Sequence, residues 1–320
     1  MLREMVDCGC DYCFMEVSSH SLVQERVRGL KFRGALFTNL THDHLDYHGT
    51  YAEYIKAKKL LFDRLDKQAF ALVNVDDRNG EVMVQNCRAQ VSRYSLRTLA
   101  DFRCKVLEML FDGMLLRMGQ YELWVKFLGR FNAYNLLSVY GAALLLGADE
   151  GEVLQAMSGL KSVSGRFEPL HSEQGVTAIV DYAHTPDALE KVIATINDIR
   201  GGAGQLIVVC GCGGDRDRAK RPLMGKAAAD GCDFAIVTSD NPRSEDPQAI
   251  IDDILTGMDG KAKYKVIPDR REAIAWAVKN AKKDDIIVLM GKGQETYQEI
   301  CGQKLHLDER EEVAKALTAL

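Results

Sequence analysis

The strongest constraint on the fold is a regular alternation of apolar and amphipathic segments between residues 176 and 291. Five apolar runs of strand length are separated by four segments with helical spacing, and Pro186 stands at the start of the first of these segments. Such alternation is typical of strand–helix–strand units around a parallel sheet, and proline is favoured at the first position of a helix. The sequence therefore predicts a doubly wound, Rossmann-like α/β domain over residues 163–320.

The preceding region, residues 1–162, is also predicted to be α/β. Three apolar runs, the first of them Cys13–Ser19, each end in polar residues, and residues 51–67 carry apolar side chains at helical spacing. Residues 102–128 alternate in polarity around an Asp-Gly dipeptide, which is typical of hairpins. We expect a parallel-sheet domain with an added antiparallel patch.

Composition excludes several classes of function. The 320 residues carry 41 Lys and Arg against 46 Asp and Glu, so the net charge of -5 gives no indication of nucleic-acid binding. No apolar run reaches the length of a membrane span, and the first residues lack the apolar core of a signal peptide. We therefore expect a cytoplasmic protein without a nucleic-acid partner, whose nine cysteines are reduced thiols.

Three histidines and two aspartates lie within residues 41–51. His48 stands one position too late for the HxHxDH loop of a metallo-β-lactamase-like hydrolase, so a metal-dependent hydrolase is only an alternative. A second alternative is a capped loop, in which Thr41 or Asp43 opens a helix and His48 lies at the surface.

A magnesium site accounts for more of the sequence. Glu16 and His44 lie at the ends of two predicted neighbouring strands, and ligand groups of parallel sheets gather at such strand ends. Mg²⁺ keeps water and phosphate oxygens as ligands and needs few from the protein. Lys58 lies on the apolar face of the next helix, where its amine either reaches solvent or turns toward the metal.

The second domain places arginines at predicted strand ends. Arg216 lies in "GGDRDRAKRP", Arg243 ends "SDNPR", and Glu295 ends "GKGQE". Arginine binds carboxylates through two parallel hydrogen bonds, and a glutamate can hold an ammonium group. Three such loops at adjacent strand ends predict a pocket for the zwitterionic end of an amino acid, with solvated loop charges as the alternative.

Eight motifs across nearly the whole chain resemble those of the Mur ligases, specifically the MurE type. In chain order they are "EVSSHSLVQERV", "TNLTHDHLDYHGTYAEYIKAKKLLF", "GRFNAYN", "GRFEPL", "DYAHTPDAL", "GGDRDRAKRPLM", "SDNPRSEDP" and "GKGQETYQ". The resemblance implies an ATP-dependent, ADP-forming ligase of peptidoglycan precursor synthesis, which makes a peptide bond through an acyl phosphate. It also implies that residues 1–162 are part of a central ATPase-like domain and residues 163–320 the C-terminal ligase domain.

The resemblance assigns roles to three groups of residues outside the amino-acid pocket. The catalytic metal ligands match Glu16, His44 and Lys58. Lys58 is expected to be carbamylated, because a carbamate offers Mg²⁺ the anionic oxygens that an ammonium group lacks. The residues that match binding positions for the nucleotide-sugar dipeptide are Ser18, Gln24 and Arg26. The residues that match nucleotide-contacting positions are Asn132, Asn135, Arg166 and Asp181.

Seven positions match the family's pocket for the incoming amino acid. They are Arg216, Asp240, Asn241, Pro242, Arg243, Gly291 and Glu295. The "DNPR" motif is the version associated with meso-diaminopimelate rather than lysine, because its arginine offers a partner for the second carboxylate. The implied substrates are therefore ATP, UDP-N-acetylmuramoyl-L-alanyl-D-glutamate and meso-diaminopimelate, with Mg²⁺ as cofactor.

The chain departs from the family pattern in its phosphate loop. Neither GxxxxGK[ST] nor GTNGKT occurs, and every "GK" is followed by alanine or glycine. We expect that the family's first domain and the opening of its central domain are missing, and that the chain alone is inactive. A separate N-terminal fragment would then be a partner. A non-catalytic amino-acid-binding module is the alternative.

Overall fold

The computed structural model describes residues 2–40, 45–259 and 262–318, without the side chains of Leu45 and Asp46. The chain divides into two compact units. The first comprises Met1–Lys105, Met118–Gln120 and Tyr134–Leu154, and the second comprises Val106–Arg117, Tyr121–Ala133 and Gln155–Leu320. The predicted domain boundary after residue 162 remains a prediction.

Thirteen elements precede residue 160 in the described chain. The helices are α1 (Leu2–Asp7), α2 (Ser19–Val23), α3 (Leu45–His48), α4 (Tyr51–Asp63), α5 (Gly80–Val84), α6 (Arg130–Leu145) and α7 (Glu150–Gly159). The strands are β1 (Gly34–Phe37), β2 (Phe70–Asn74), β3 (Gln90–Ser95), β4 (Phe102–Leu110), β5 (Gly113–Met118) and β6 (Tyr121–Val125). They form one sheet in the order β1-β2-β3-β4-β5-β6, in which β1 to β4 pair in parallel.

A second sheet follows in the order β11-β10-β9-β12-β8-β7, and a separate hairpin joins β13 to β14. The strands are β7 (Glu168–His171), β8 (Thr177–Asp181), β9 (Leu206–Cys210), β10 (Phe234–Val237), β11 (Lys263–Val266), β12 (Ile286–Met290), β13 (Tyr297–Ile300) and β14 (Gln303–His306). The helices are α8 (Pro186–Arg200), α9 (Lys220–Gly231), α10 (Pro247–Leu255), α11 (Arg270–Asn280) and α12 (Glu309–Thr318). Only β7 runs antiparallel to its neighbour among the described strands of this sheet.

The core of the second unit explains why its strands read as unbroken apolar runs. Every residue of β9 and of β12 is buried, because helices cover both faces of a parallel sheet. One face packs against a cluster that includes Leu189 and Ile196 of α8, and the other packs against Ala273 and Ile274 of α11. The predicted parallel strands and helices of this region are all present. Strand β7 and the β13–β14 hairpin were not anticipated.

One predicted strand is wrong. Residues 13–18 form no strand, and Phe14 is 81% exposed. Instead, helix α2 begins at Ser19, and the Ser18 hydroxyl accepts a hydrogen bond from the Ser21 N–H, as expected for a serine cap. An apolar run becomes a buried strand only where another strand and a covering layer meet it, and no described residue pairs with this one.

None of the described helices is long and apolar enough to cross a membrane.

Replacing Leu289 by alanine tests whether β12 is an inner, buried strand of the second sheet. The side chain is 0% exposed, so truncation leaves a cavity and we expect a loss of about 2–5 kcal/mol in the free energy of unfolding. Leu223→Ala is the matched control, because Leu223 is 53% exposed and its loss should cost about 0.5 kcal/mol or less. Urea unfolding measures both, and equal costs would contradict the assignment of β12 to the core.

Candidate functional site

Lys58 and Glu16 are near enough in the first unit to interact electrostatically. Lys58 is half-buried on α4, a helix that Thr50 caps through its hydroxyl, and Tyr54 and Ala57 on the same helix are buried. Burial lowers the pKa of Lys58, and the Glu16 carboxylate is near enough to oppose that shift. The lysine makes no hydrogen bond or ion pair with the rest of the described chain. Its amine is therefore available for another partner.

The third predicted ligand, His44, lies outside the described residues, as do Thr41 and Asp43 of the capped-loop alternative. No group of three or more His, Cys, Asp or Glu side chains in the described ranges could hold a metal ion. An ammonium group does not ligate Mg²⁺, whereas a carboxylate and a carbamate both offer the oxygens that this ion prefers. The residues present therefore fit Mg²⁺ only when Lys58 is carbamylated.

The predicted dipeptide-binding residues follow the same part of the chain. Ser18 caps α2, and its hydroxyl lies 2.9 Å from that of Ser21. The Gln24 side-chain amide donates to the Tyr47 hydroxyl at 3.3 Å. Arg26 is exposed, and its guanidinium has no partner within the described ranges. A ligand at this surface would meet one free arginine and two side chains that already have local contacts.

His48 has a structural contact that sequence analysis missed. Its Nε2 lies 2.8 Å from the hydroxyl of Ser19, which is fully buried, and its ring stacks on Tyr54 with centroids 5.2 Å apart. His20 and Tyr47 add a ring pair at 4.0 Å. The alternative in which His48 lies at the surface does not fit these contacts, because the imidazole connects α2 to α4.

Two motifs of the second unit meet at Arg166 and Asp181, which are predicted to contact nucleotide. The Asp181 carboxylate accepts hydrogen bonds from the N–H groups of Phe167 and Ala183, each at 2.7 Å. Burial raises the pKa of Asp181, and these two hydrogen bonds oppose the shift. The Arg166 guanidinium lies 4.6 Å above the ring of Tyr182. Asp181 therefore holds two backbone turns together and leaves Arg166 exposed beside an aromatic face.

The other two predicted nucleotide contacts lie one turn apart on α6. The Asn132 side-chain amide donates to the Leu128 carbonyl at 2.8 Å, and Asn135 is exposed. Residues three apart on a helix share a face, so both amides lie on one face of α6.

A network of polar side chains lies beyond the carboxyl ends of β10 and β12. The Asn241 side-chain N–H donates to Oε2 of Glu295 at 2.8 Å, and its Oδ1 accepts from the Glu299 N–H at 2.9 Å. Lys292 is fully buried, and its Nζ donates to Oδ1 of Asn241 at 3.0 Å and to Oε2 of Glu295 at 3.2 Å. These contacts occupy Oε2 of Glu295 and leave Oε1 for a ligand.

Arg243 and Arg216 lie beside the same glycine. A Cβ atom added to Gly213 would stand 2.9 Å from Nη1 of Arg243 and 3.7 Å from Cγ of Arg216. Nη1 of Arg243 donates to the Gly214 carbonyl at 2.7 Å, and its Nε lies 3.4 Å from a carboxylate oxygen of Glu299. Arg216 is exposed and unpaired within the described ranges. The Arg243 guanidinium and the Cγ atom of Arg216 therefore lie beside the same loop glycine.

The remaining pocket positions hold the backbone in place. Gly291 has φ of +114°, and a side chain there would clash with the Asp240 carboxylate. A side chain at Gly214 would clash with the Pro242 carbonyl. The Asp240 carbonyl accepts from the Gln298 side chain at 2.6 Å. Glycine is needed at both positions because strand-end loops approach each other too closely for a Cβ atom.

The β13–β14 hairpin holds the backbone of Arg243 in place. The Arg243 N–H donates to the Glu299 carbonyl at 3.0 Å, and the Cys301 N–H donates to the Arg243 carbonyl at 2.7 Å. Arg243 has φ of +51°, a left-handed conformation that costs energy for a residue with a side chain. The two hydrogen bonds hold the residue in this conformation.

A buried ion pair holds the two arginine-bearing loops together. Arg221 is 1% exposed, and its guanidinium binds both oxygens of Glu245, at 2.7 and 2.9 Å. Glu245 also accepts from the Asp215 N–H at 2.6 Å, next to Arg216. The hydrogen bonds from Arg221 lower the pKa of Glu245 to about 2.

Two parts of the chain match known protein families. Residues 1–143 match the Mur ligase middle domain, and residues 165–293 match the Mur ligase, glutamate ligase domain. The chain belongs to the Mur ligase family. The first matched range contains Glu16 and Lys58, and the second contains Arg216 and Arg243.

Close relatives exist among curated proteins. A UDP-N-acetylmuramoyl-L-alanyl-D-glutamate--2,6-diaminopimelate ligase from Bacteroides thetaiotaomicron is 55% identical over 313 residues, covering 97% of this chain and 65% of the relative. A ligase of the same name from Clostridioides difficile is 43% identical, covering 99% of this chain and 66% of the relative. The chain thus spans slightly less than two thirds of the Bacteroides relative.

A solved structure confirms the predicted fold class. It is described as a UDP-N-acetylmuramoyl-L-alanyl-D-glutamate--2,6-diaminopimelate ligase, is 38% identical, and superposes with a TM-score of 0.62. The similarity covers 95% of this chain and 64% of that chain.

Sequence analysis of this Mur ligase chain missed the buried charges beneath the pocket. Lys292 lies in the "GKGQE" motif, but nothing in the sequence indicates that its side chain is buried. Arg270 and Glu309 are both 0% exposed and pair at 2.6 Å, and Arg270 also donates to the Met290 carbonyl at the end of β12. A pairing across 39 residues leaves no local signal in one sequence.

Replacing Glu245 by glutamine tests the ion pair between the arginine loops. Because the pKa of Glu245 is lowered from 4.5 to about 2, its charge stabilises the fold above pH 4.5, and this contribution is lost as the pH falls toward 2. Glu245→Gln should therefore unfold more easily than the wild type at pH 7, and the difference should shrink below pH 4.5.

Urea midpoints between pH 7 and pH 3 measure this difference. The exposed Glu173, replaced by glutamine, is the control and should follow the wild type at every pH. A difference for Glu245→Gln that does not depend on pH would contradict the role of its charge.

Proposed function

We propose that the chain forms the central and C-terminal parts of an ATP-dependent ligase. The complete enzyme would add meso-diaminopimelate to UDP-N-acetylmuramoyl-L-alanyl-D-glutamate through an acyl phosphate, in peptidoglycan precursor synthesis. The names of relatives that are 43 to 55% identical support this substrate pair. We place the domain boundary after residue 162, since the matched ranges end at 143 and resume at 165, and we place the enzyme in the cytoplasm with its nucleotide substrates.

The position of Arg243 and Arg216 beside Gly213, together with the contact between Asn241 and Glu295, carries the proposal. Two arginines beside Gly213 offer forked N–H groups to carboxylates, and Oε1 of Glu295 is left for an ammonium group. Diaminopimelate carries a carboxylate and an ammonium at each end, whereas lysine has only one carboxylate. A second arginine in the pocket should therefore strengthen the binding of diaminopimelate more than the binding of lysine.

We assign pocket roles by position. Arg216 and Arg243 bind carboxylates, Glu295 binds an ammonium, and Asn241 orients Glu295. Asp240, Pro242 and Gly291 shape the loops between them. Ser18, Gln24 and Arg26 are assigned to the nucleotide-sugar dipeptide. Asn132, Asn135, Arg166 and Asp181 are assigned to the nucleotide, with Asp181 holding the turn that presents Arg166.

We assign Glu16, His44 and carbamylated Lys58 to Mg²⁺. When bound, the ion would neutralise phosphate charge during transfer. The lowered pKa of Lys58 supports this assignment, because only the neutral amine reacts with CO₂ to give a carbamate and a proton. We further propose that the chain needs a segment with a phosphate loop to ligate, as a separate fragment or as a longer chain, because its sequence has no such motif.

Replacing Arg243 by alanine tests the substrate. Loss of a charged hydrogen bond should weaken binding of meso-diaminopimelate by roughly 1.5–3 kcal/mol and change lysine binding much less. Calorimetry with both amino acids measures the difference. Arg218→Ala is the control, since Arg218 is exposed and pairs with Asp253. Equal weakening for both ligands, or a wild type without preference for diaminopimelate, would refute the assignment.

Labelling with ¹³C-bicarbonate tests Lys58 and separates a ligase from an amino-acid-binding module, which needs no carbamate. We expect a carbamate signal by NMR in the wild type, because burial favours the neutral amine. The signal should vanish in Lys58→Arg and persist in Lys56→Arg, which alters an exposed lysine of the same helix. A signal unchanged by Lys58→Arg would refute the carbamate.

A further inference from the structure

Lys292 brings a buried positive charge to the floor of the amino-acid pocket. Its side chain is 0% exposed, and Nζ lies 3.2 Å from Glu295 and 3.6 Å from Asp240. Its remaining neighbours are Oδ1 of Asn241 at 3.0 Å and the ring of Tyr297, whose centroid is 5.8 Å away. A lysine is almost never fully buried unless its charge is paired, so the two carboxylates account for the burial of Lys292.

Lys292 contributes one positive charge to a pocket that contains both acids and bases. Its acids are Asp240, Glu295 and Glu299, and its bases are Arg216, Arg243 and Lys292. Beneath them, Arg270 and Glu309 form a buried pair without net charge. Removal of Lys292 would therefore make the net charge of the pocket more negative by one unit.

We propose that Lys292 sets the selectivity of this pocket by fixing its net charge, so that a ligand of zero net charge is preferred to a cationic one. The inference rests on the proposed function. Meso-diaminopimelate has two ammonium and two carboxylate groups and no net charge, whereas lysine has one carboxylate and a net positive charge. A pocket with an excess negative charge would attract lysine, and Lys292 removes that attraction.

This role differs from simple support of Glu295. If Lys292 only held Glu295 in place, its loss would weaken both ligands alike, because each presents an ammonium group. If Lys292 supplies charge, its loss changes the ratio of the two affinities. The same ratio should return when a neighbouring acid is neutralised, because the net charge is then restored.

Three variants test the proposal by calorimetry with meso-diaminopimelate and lysine. Lys292→Met keeps a long unbranched side chain without its charge. We expect the preference for diaminopimelate to fall roughly tenfold or more, as for an unbalanced charge near the ligand. The double variant Asp240→Asn, Lys292→Met should restore most of the wild-type preference. Lys279→Met changes an exposed lysine of α11 and should have no effect.

Each outcome decides the matter. An unchanged preference in a folded Lys292→Met variant overturns the proposal. If that variant fails to show a cooperative thermal transition, the double variant decides, since a retained preference supports the proposal and a lost one overturns it. A wild type that binds diaminopimelate no better than lysine overturns the proposed function, and this inference falls with it. A wild-type preference that Lys292→Met leaves intact overturns this inference alone.

Discussion

The parallel pairing of β10, β9 and β12 is the constraint on which the second unit depends. Parallel strands end at one edge of a sheet, so the loops after all three strands are neighbours whatever their order in the chain. Those loops carry Arg216, Arg243 and Glu295, which are far apart in sequence. Without this pairing the arginines and the glutamate would be unrelated surface charges.

The sequence predicted this unit well because its physical signals are local. Unbroken apolar runs such as Leu206–Cys210 indicate strands buried on both faces, and Pro186 marks a helix start. Strand ends then predict which polar loops meet. The pairing of charged side chains inside those loops, in contrast, depends on residues that are distant in the sequence. The contacts of Lys292 with Asn241 and of Arg270 with Glu309 depend on packing across tens of residues, which one sequence does not reveal.

The first unit was predicted less completely. Strands β1 and β2 and helix α4 were anticipated, and Lys58 lies near Glu16 as the family resemblance implied. The predicted strand at Cys13–Ser19 is absent, because a run of apolar residues does not determine whether a neighbouring strand is there to pair with it. One alternative placed His48 at the surface, and the sequence gives no local sign of its contact with Ser19, which stands 29 residues away.

The left-handed backbone of Arg243 has a consequence for how such pockets can diverge. The residue that we assign to the second carboxylate is positioned by hydrogen bonds to the following hairpin, Tyr297–His306, and not by its own strand. Because Glu299 and Cys301 of that hairpin bond the backbone of Arg243, a shift of the hairpin would move the guanidinium even where every pocket residue is kept. Relatives with the same pocket residues can therefore differ in ligand preference because their hairpins are placed differently. Comparison of motifs alone would overlook this difference.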